Sequence, residues 1–368
     1  MTSIKTILAE ALEKKASDVH INVGMRPILR KNTELIELDY PVVSDEDAKK
    51  MVLEMIDQDK FKKLEQKRDL DFSTTIKGGH RFRVNAHYQR ETIAISFRVI
   101  PNQVPLIDDL HLPLIAEGLT DLPRGLVLVT GHTGSGKSTT LAGMIGLINR
   151  KYKKRIVTLE DPIEYLLGNE KSMVEQREIG DDCPDFTSGL RHVLRQDPDI
   201  IMVGEMRDLE ATSSTITAAE TGHLVFSTLH TMNAPQTIER IIDIYPANQQ
   251  DQIRTMLANT LQAVISQTLF KRIDVPGMVP CVEILLCTVA VRNCIRENRI
   301  YEIANIIETS RSLGMQNMDT SIADMCFKGF IGKEEAVMKS TNPGKMEKTL
   351  STMKQFDVVQ PPEVSNAR

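Results

Sequence analysis

Residues 131–138 form a glycine-rich segment that restricts the fold of this chain more than any other feature. They have the sequence Gly-His-Thr-Gly-Ser-Gly-Lys-Ser and match the pattern G-x-x-x-x-G-K-[ST]. An apolar run at 126–129 precedes them, and a helix-like stretch extends from Ser138 to Asn149. A glycine-rich turn between a buried strand and a helix directs several backbone N–H groups to one point, where the helix dipole also favours an anion. The segment therefore predicts a phosphate-binding loop in an α/β domain.

The same loop predicts a nucleoside triphosphate and a metal ion as ligands. We expect Lys137 to reach the β- and γ-phosphates as a point charge, and the Ser138 hydroxyl to ligate Mg²⁺. ATP and Mg²⁺ are therefore the predicted cofactors. The other loop residues expected to contact the nucleotide are Gly131, Thr133, Gly134, Ser135, Gly136 and Thr139.

Composition argues against several other classes of ligand. The 368 residues carry a formal net charge of −5, which provides no overall attraction for nucleic acid. The chain has no Trp and only 4% aromatic residues, so it lacks stacking platforms for single-stranded nucleic acid. Its five cysteines are scattered without a C-x-x-C pair, which indicates neither zinc nor disulfides. No apolar run reaches the roughly 18 residues of a membrane span. We expect a cytoplasmic protein without a nucleic-acid partner.

Hydrophobic patterning divides the chain into two folded domains. Residues 1–100 combine helical spacing with period-two alternation and a hairpin turn at 77–80, which predicts a small α+β domain. Residues 101–117 contain three prolines and are predicted to be a linker. Residues 118–340 predict a parallel sheet covered by helices. Residues 341–368 are polar and are predicted to be a flexible C-terminal tail. The apolar strands of the larger domain are expected at 126–130, 155–159, 199–203 and 223–229.

An acidic segment follows the second of these strands. Residues 156–164 have the sequence Ile-Val-Thr-Leu-Glu-Asp-Pro-Ile-Glu and carry Glu160, Asp161 and Glu164. Ligands bind where the carboxyl ends of parallel strands converge, so one of these carboxylates could polarise water. Capping of a helix after Pro162 is the alternative explanation.

Two further segments end in candidate site residues. Residues 197–205 place Glu205 after an apolar strand, as in a Walker B element, where it would hold Mg²⁺ through water; a strand-end glutamate without function is the alternative. Residues 221–231 enclose the next strand between His223 and His230. His230 follows the carboxyl end of that strand, where ligand-sensing residues belong, although a structural role remains open for both histidines.

These four segments together closely resemble the secretion ATPase superfamily and, within it, the PilT-like type IV pilus retraction ATPases. The resemblance covers about residues 1–340. It implies a RecA-like P-loop ATPase domain with a parallel-strand core, preceded by a small PAS-like α+β domain. It also implies that Glu164 is the catalytic glutamate, that Glu205 is the Walker B glutamate, and that His230 belongs to a catalytic His box. His223, from the same box, is expected to contact nucleotide.

The resemblance further implies a homohexameric ring in which N-terminal domains supply arginines to the nucleotide. The matching candidates are Arg81 for nucleotide binding and Arg83 and Arg98 for catalysis. A solvated strand face explains the same residues without a ligand. Residues 290–296 resemble a motif associated with retraction, and they would place Arg292 and Arg296 on one helix face for an acidic partner or a neighbouring subunit, or simply for solvent.

The implied function is ATP hydrolysis that powers pilus retraction. The expected partners are a platform protein of the inner membrane at the pilus base and a paralogous retraction ATPase, so the protein would be recruited from the cytoplasm to the membrane only through partners. His132, Val291 and Cys294 depart from the family pattern, which leaves a PilU-like accessory ATPase as an alternative. A RecA-like nucleic-acid translocase and a nucleotide switch without hydrolysis are the other candidates.

Overall fold

The structure is a computed structural model that describes residues 2–31, 34–101 and 103–352. These residues divide into two compact units. The first comprises residues up to 104 together with 162–166, and the second comprises 105–161 and the chain from 167 onward.

The first unit is a six-stranded antiparallel sheet with three helices. Its strand order is β3-β2-β1-β6-β5-β4. Helix α1 buries Ile4, Ile7, Leu8 and Ala11 at helical spacing, and α2 begins with a capping box between Ser44 and Asp47. The elements are α1 (Ile4–Glu13), β1 (Asp18–Asn22), β2 (Ile28–Lys31), β3 (Glu34–Glu37), α2 (Asp45–Leu53), α3 (Gln58–Lys67), β4 (Asp69–Thr75), β5 (Arg81–Gln89) and β6 (Thr92–Val99).

The second unit is an α/β domain around a seven-stranded sheet of order β13-β12-β7-β11-β10-β8-β9. The pair β12–β13 is antiparallel and the other described pairs are parallel. Its strands are β7 (Gly125–Thr130), β8 (Arg155–Glu160), β9 (Met173–Glu178), β10 (Ile200–Val203), β11 (Leu224–Leu229), β12 (Leu261–Lys271) and β13 (Met278–Leu286). Its helices are α4 (Leu114–Gly118), α5 (Lys137–Lys151), α6 (Phe186–Val193), α7 (Leu209–Glu220), α8 (Ala234–Asp243), α9 (Gln250–Thr260), α10 (Val289–Arg296), α11 (Ile303–Thr309), α12 (Met318–Phe327), α13 (Lys333–Lys339) and α14 (Pro343–Thr352).

The central strands of this sheet are buried on both faces. Leu126 and Leu128 of β7 belong to one apolar cluster, and Val127 and Val129 belong to another on the opposite face. Such two-sided burial explains why β7 and β10 are nearly continuous apolar runs rather than alternating ones, and why every residue of β11 is buried. Because β7, β8, β10 and β11 run parallel, the loops that follow them leave from one edge of the sheet, and this edge carries the candidate site.

Two predicted boundaries need correction. Residues 107–110 form a 3₁₀ turn and α4 follows, because Ile107 and Ala116 are buried in the core of the second unit. Most of the predicted linker is therefore folded. The predicted tail begins too early, because α14 buries Met346 and Leu350 against α12 and α13. The rest of that predicted tail, 353–368, lies outside the described residues.

Among the helices that the structure describes, none is both long and apolar enough to cross a bilayer.

Candidate active site

The predicted phosphate loop lies between β7 and α5. Gly131, Gly134 and Gly136 have φ values of 144°, 79° and 87°, which side chains with a Cβ rarely adopt. A Cβ on Gly136 would lie 2.7 Å from Nε2 of Gln267, and one on Gly131 would overlap the Gln267 carbonyl oxygen. Gly131 and Gly136 are thus required by both backbone conformation and close packing, and Gly134 by its backbone conformation. The remaining predicted contact residues, Thr133, Ser135, Ser138 and Thr139, lie in this loop or in the first turn of α5.

Lys137 occupies the interior of the loop. Its Nζ donates hydrogen bonds to the carbonyl oxygens of Gly131 at 2.8 Å and His132 at 3.0 Å, and only 8% of the residue is exposed. The ammonium group is therefore held among the loop atoms that a phosphate would face.

His132, which departs from the family pattern, is exposed. Its Nδ1 lies 2.7 Å from the carbonyl oxygen of Thr133, which can only accept, so Nδ1 is the donor. The ring forms a local contact outside the buried strand and helix. A histidine at this position is therefore compatible with the loop.

Gln267 on β12 is a site residue that the sequence analysis missed. Its Nε2 donates to the Ser135 carbonyl oxygen at 2.7 Å, and its Oε1 accepts from Thr140 Oγ1 at 2.8 Å. The available signal was a glutamine within the largely apolar residues 261–271, a stretch that also contains Gln262. Sequence position alone does not connect that run to a loop 132 residues earlier.

A charged cluster forms where three strand-end loops meet. Glu205, after β10, accepts hydrogen bonds from Arg207 Nε at 2.8 Å and lies 3.0 Å from His230 Nε2. Arg207 also pairs with Asp161, after β8, at 2.9 Å. The bond to Glu205 is the largest cause of a raised pKa for Arg207, so its charge is stabilised. The structure thus brings the candidates Glu205, His230 and Asp161 together with Arg207, which the sequence had not indicated.

This charged cluster is next to the phosphate loop. The Gly131 N–H lies 3.3 Å from the carbonyl oxygen of Leu229, the residue before His230. Gly204 connects the Glu205 loop to both neighbouring strands, since its N–H donates to Leu159 and its carbonyl accepts from Thr228 Oγ1 at 2.6 Å. Parallel pairing of β7, β11 and β10 therefore sets the distance between the loop and Glu205.

The three carboxylates of the acidic segment have different environments. Glu160 is buried and accepts from Thr158 Oγ1 at 2.6 Å and Gln176 Nε2 at 2.9 Å. Asp161 pairs with Arg207, whereas Glu164 is exposed, in a stretch that groups with the first unit. Residues 161–172 form no helix in the structure, so helix capping does not explain these carboxylates.

His223 is not brought to the phosphate loop. It precedes β11, and its carbonyl accepts from the N–H of Gly125 at the start of β7. That end of the sheet is roughly 17 Å from the loop, because five residues of strand at about 3.3 Å each separate them. Its Nδ1 lies 3.0 Å from the Ala218 carbonyl oxygen, which makes it a local structural contact. The structure therefore does not bring His223 to the phosphate loop of its own chain, and its contact with nucleotide stays a prediction.

The three candidate arginines lie on one face of the first unit's sheet. Arg83 on β5 is directly opposite Arg98 on β6, and Arg81 is two residues from Arg83 along β5. Arg98 Nε donates to Asp18 at 2.9 Å while 72% of its side chain remains exposed. Arg81 donates to Ser73 Oγ at 2.5 Å, and Arg83 is exposed.

Arg292 does not present its charge to a partner. Its guanidinium donates to the carbonyl oxygens of Cys287 at 2.9 Å and Asn259 at 3.0 Å, and also to that of Ala258. It therefore satisfies carbonyl groups at the C-terminal end of α9, where a cation is favourable. This corrects the expectation that Arg292 is available together with Arg296.

The arrangement fits a Mg²⁺ ion that is held mainly by phosphates. No group of three or more His, Cys, Asp or Glu side chains within residues 2–31, 34–101 and 103–352 could hold a metal by itself. Mg²⁺ in nucleotide sites uses one or two protein oxygens, substrate phosphates and waters. Ser138 in the first turn of α5 and Glu205, whose side chain is 20% exposed, are oxygen donors of that kind.

Glu283 on β13 is a partly buried carboxyl at the same edge of the sheet. Its Oε1 accepts from the Ala234 N–H at the start of α8, at 2.8 Å, and burial raises its pKa. Because the unfolded chain ionises at lower pH than the folded one, this group lowers the stability of the protein as the pH rises above about 4.5.

Replacement of Glu283 by Gln should therefore stabilise the protein near neutral pH. Glutamine retains the acceptor for Ala234 and carries no charge. We expect a melting temperature a few degrees above wild type at about pH 7, with the difference shrinking toward pH 4.5. Differential scanning calorimetry measures it, with the exposed Glu239→Gln on α8 as control. A variant less stable than wild type at neutral pH would contradict this explanation.

Known proteins resemble the chain over most of its length. Residues 1–329 match the sequence profile of the family described as "Type II/IV secretion system protein". The chain is 42% identical over 340 residues to the type IV pilus retraction ATPase PilT of Pseudomonas aeruginosa, covering 92% of this chain and 98% of that protein. It is 35% identical to the type IV pilus ATPase PilU of the same organism, over 90% and 87% of the two chains. A crystal structure of the pilus retraction motor PilT with bound ADP superimposes with a TM-score of 0.88 at 42% identity, covering 95% and 100% of the chains.

Proposed function

Because the chain belongs to the Type II/IV secretion system protein family and is a PilT-like ATPase, we propose that it is a Mg²⁺-dependent motor of type IV pilus retraction. One observation carries the proposal: the loop that holds Lys137 lies beside the cluster of Glu205, His230, Arg207 and Asp161. A cation for phosphate, a carboxylate and a histidine at the carboxyl ends of the parallel strands support triphosphate hydrolysis, which depends on neutralised phosphate charge and a positioned nucleophile.

We assign the following roles to the chain's own residues. Lys137 and the loop N–H groups bind the phosphates, and Ser138 and Glu205 hold Mg²⁺, which neutralises phosphate charge when bound. His230 reports on the γ-phosphate through its contact with Glu205. Glu164 orients the attacking water. Arg81, Arg83 and Arg98 add positive charge from the N-terminal domain of a neighbouring subunit in a homohexamer.

The descriptions of two similar proteins support pilus retraction as the function of this chain. The similar protein from Pseudomonas aeruginosa is a type IV pilus retraction ATPase, and a 43% identical relative from Neisseria gonorrhoeae is a twitching motility protein. We therefore propose that hydrolysis removes pilin subunits at the pilus base. The motor would act in the cytoplasm, docked on a platform protein at the inner membrane.

An accessory role beside a paralogous retraction ATPase is the second candidate. The 35% identity to PilU supports it, but identity to PilT is higher and extends over more of both chains. We therefore favour the main motor. A nucleic-acid translocase is disfavoured by the net charge of −5.

Deletion of the gene tests this assignment in the cell. A retraction motor predicts cells that remain piliated, and become more heavily piliated, but lose twitching motility. Electron microscopy of surface pili together with a stab-agar motility assay measures both. Loss of pili would instead indicate an extension motor, and unchanged motility would indicate the accessory role.

A further inference from the structure

We propose that Gln267 is a positioning residue for nucleotide binding, which holds the phosphate loop in its binding conformation from strand β12. Gln267 is 2% exposed, and its amide bonds to Ser135 in the loop at 2.7 Å and to Thr140 on α5 at 2.8 Å. One side chain thus connects the loop to the helix that follows it. The inference rests on the ATPase activity and concerns a residue outside the phosphate-binding motif.

The chemistry of the two partners fixes the orientation of this amide. The Ser135 carbonyl oxygen can only accept, so Nε2 must face it, and Oε1 is then left for the Thr140 hydroxyl. Both polar ends of a buried side chain are therefore satisfied by the phosphate loop and the helix that follows it. Removal of the amide would leave a buried carbonyl and a buried hydroxyl without this partner. This destabilises the loop more than replacing both hydrogen-bond partners by apolar groups would.

The same residue also borders the loop sterically at both of its ends. Its carbonyl oxygen is the nearest atom to a Cβ placed on Gly131, and its Nε2 is the nearest to one placed on Gly136. Leu269, two residues along β12, would lie 3.5 Å from a Cβ placed on Gly136. The loop is therefore packed against β12 where it leaves β7 and where it enters α5. Because β12 already holds the loop in place, the loop loses less conformational entropy when it binds phosphate.

The effect of losing this support should fall on binding more than on the chemical step. Gln267→Met keeps the volume of the side chain and removes both hydrogen bonds. We expect the Kd for a fluorescent ATP analogue to rise about tenfold, which corresponds to ~1.4 kcal/mol. KM for ATP should rise in parallel while kcat at saturating ATP changes less than threefold, because Gln267 touches no reacting atom.

Three further variants distinguish positioning from a general loss of packing. Gln262→Met changes the same residue type on the same strand, but Gln262 bonds to Arg292 at 3.1 Å instead of the loop, so its Kd should match wild type. Thr140→Val removes the hydroxyl that donates to Gln267 and should weaken binding by a smaller factor. Because both act through one network, the double variant Thr140→Val, Gln267→Met should bind no more weakly than Gln267→Met alone.

The full-length protein is assayed throughout, with the melting temperature of each nucleotide-free variant measured alongside. An unchanged Kd for Gln267→Met overturns the proposal, as does equal weakening by Gln262→Met or full additivity with Thr140→Val. If Gln267→Met does not fold, Thr140→Val decides: a Kd equal to wild type overturns the proposal. A wild-type protein that binds no ATP would refute the ATPase assignment itself, which separates the two failures.

Discussion

Glu164→Gln should reduce the rate of ATP hydrolysis by at least about 100-fold while leaving ATP binding within about threefold of wild type. A carboxylate that orients and polarises water contributes roughly 10²- to 10⁴-fold, and an amide of the same shape cannot take a proton from water. Glu164 is exposed, so the substitution should not change the stability of the fold. Phosphate release in Mg²⁺ and titration with a fluorescent ATP analogue measure the two effects separately.

A nearby glutamate outside the acidic segment provides the matched control. Glu170 is also exposed and follows Glu164 by six residues, and Glu170→Gln should hydrolyse ATP at the wild-type rate. If Glu164→Gln remains as active as Glu170→Gln, the catalytic assignment of Glu164 is wrong. Residual phosphate release that persists in EDTA would mark a contaminating activity, since the proposed reaction needs Mg²⁺.

Lys137→Met should abolish ATP binding and hydrolysis together. Methionine keeps the aliphatic part of the buried side chain but removes the ammonium group, which now bonds to Gly131 and His132. Loss of a buried cation that faces phosphate costs several kcal/mol, so kcat/KM should fall at least about 100-fold. Isothermal titration with ATP and a phosphate-release assay both measure this loss.

The other end of the same helix supplies the control for Lys137. Lys151 pairs with Asp121 at 2.8 Å at the C-terminal end of α5, and Lys151→Met should leave nucleotide binding unchanged. The melting temperature of Lys137→Met in the absence of nucleotide should remain close to wild type. Hydrolysis by Lys137→Met at more than a tenth of the wild-type rate would refute the role of the loop.

Local patterns predicted most of the larger domain because its central strands are buried on both faces. The runs expected at 126–130, 155–159, 199–203 and 223–229 correspond to β7, β8, β10 and β11. Strands β9, β12 and β13 were not predicted from the sequence. The predicted domain end at residue 340 is too early, because apolar contacts of Met346 and Leu350 extend the domain through α14.

The candidate site also combines residues of a contiguous motif with residues that only the pairing of distant segments brings together. The phosphate loop is contiguous, so its eight residues could be identified from their order alone. The sequence favoured His230 because it follows the carboxyl end of the strand, but it also left a nucleotide contact open for His223. The parallel direction of β11 places them at opposite ends of the sheet, and only His230 reaches Glu205. The sequence predicted that Arg292 lies on an exposed helix face, whereas in the structure its guanidinium donates to a carbonyl oxygen of α9.

By itself, the sequence determined that this protein has a P-loop, a carboxylate after each of two strands, and the motifs of its ATPase family. The tertiary structure decided which of those side chains meet. Strand order brought Asp161, Arg207, Glu205 and His230 into one cluster and placed Gln267 beneath a loop 132 residues away. The physical reason is that strand periodicity specifies which side of a strand is buried, whereas strand pairing depends on packing between distant segments and leaves no local pattern.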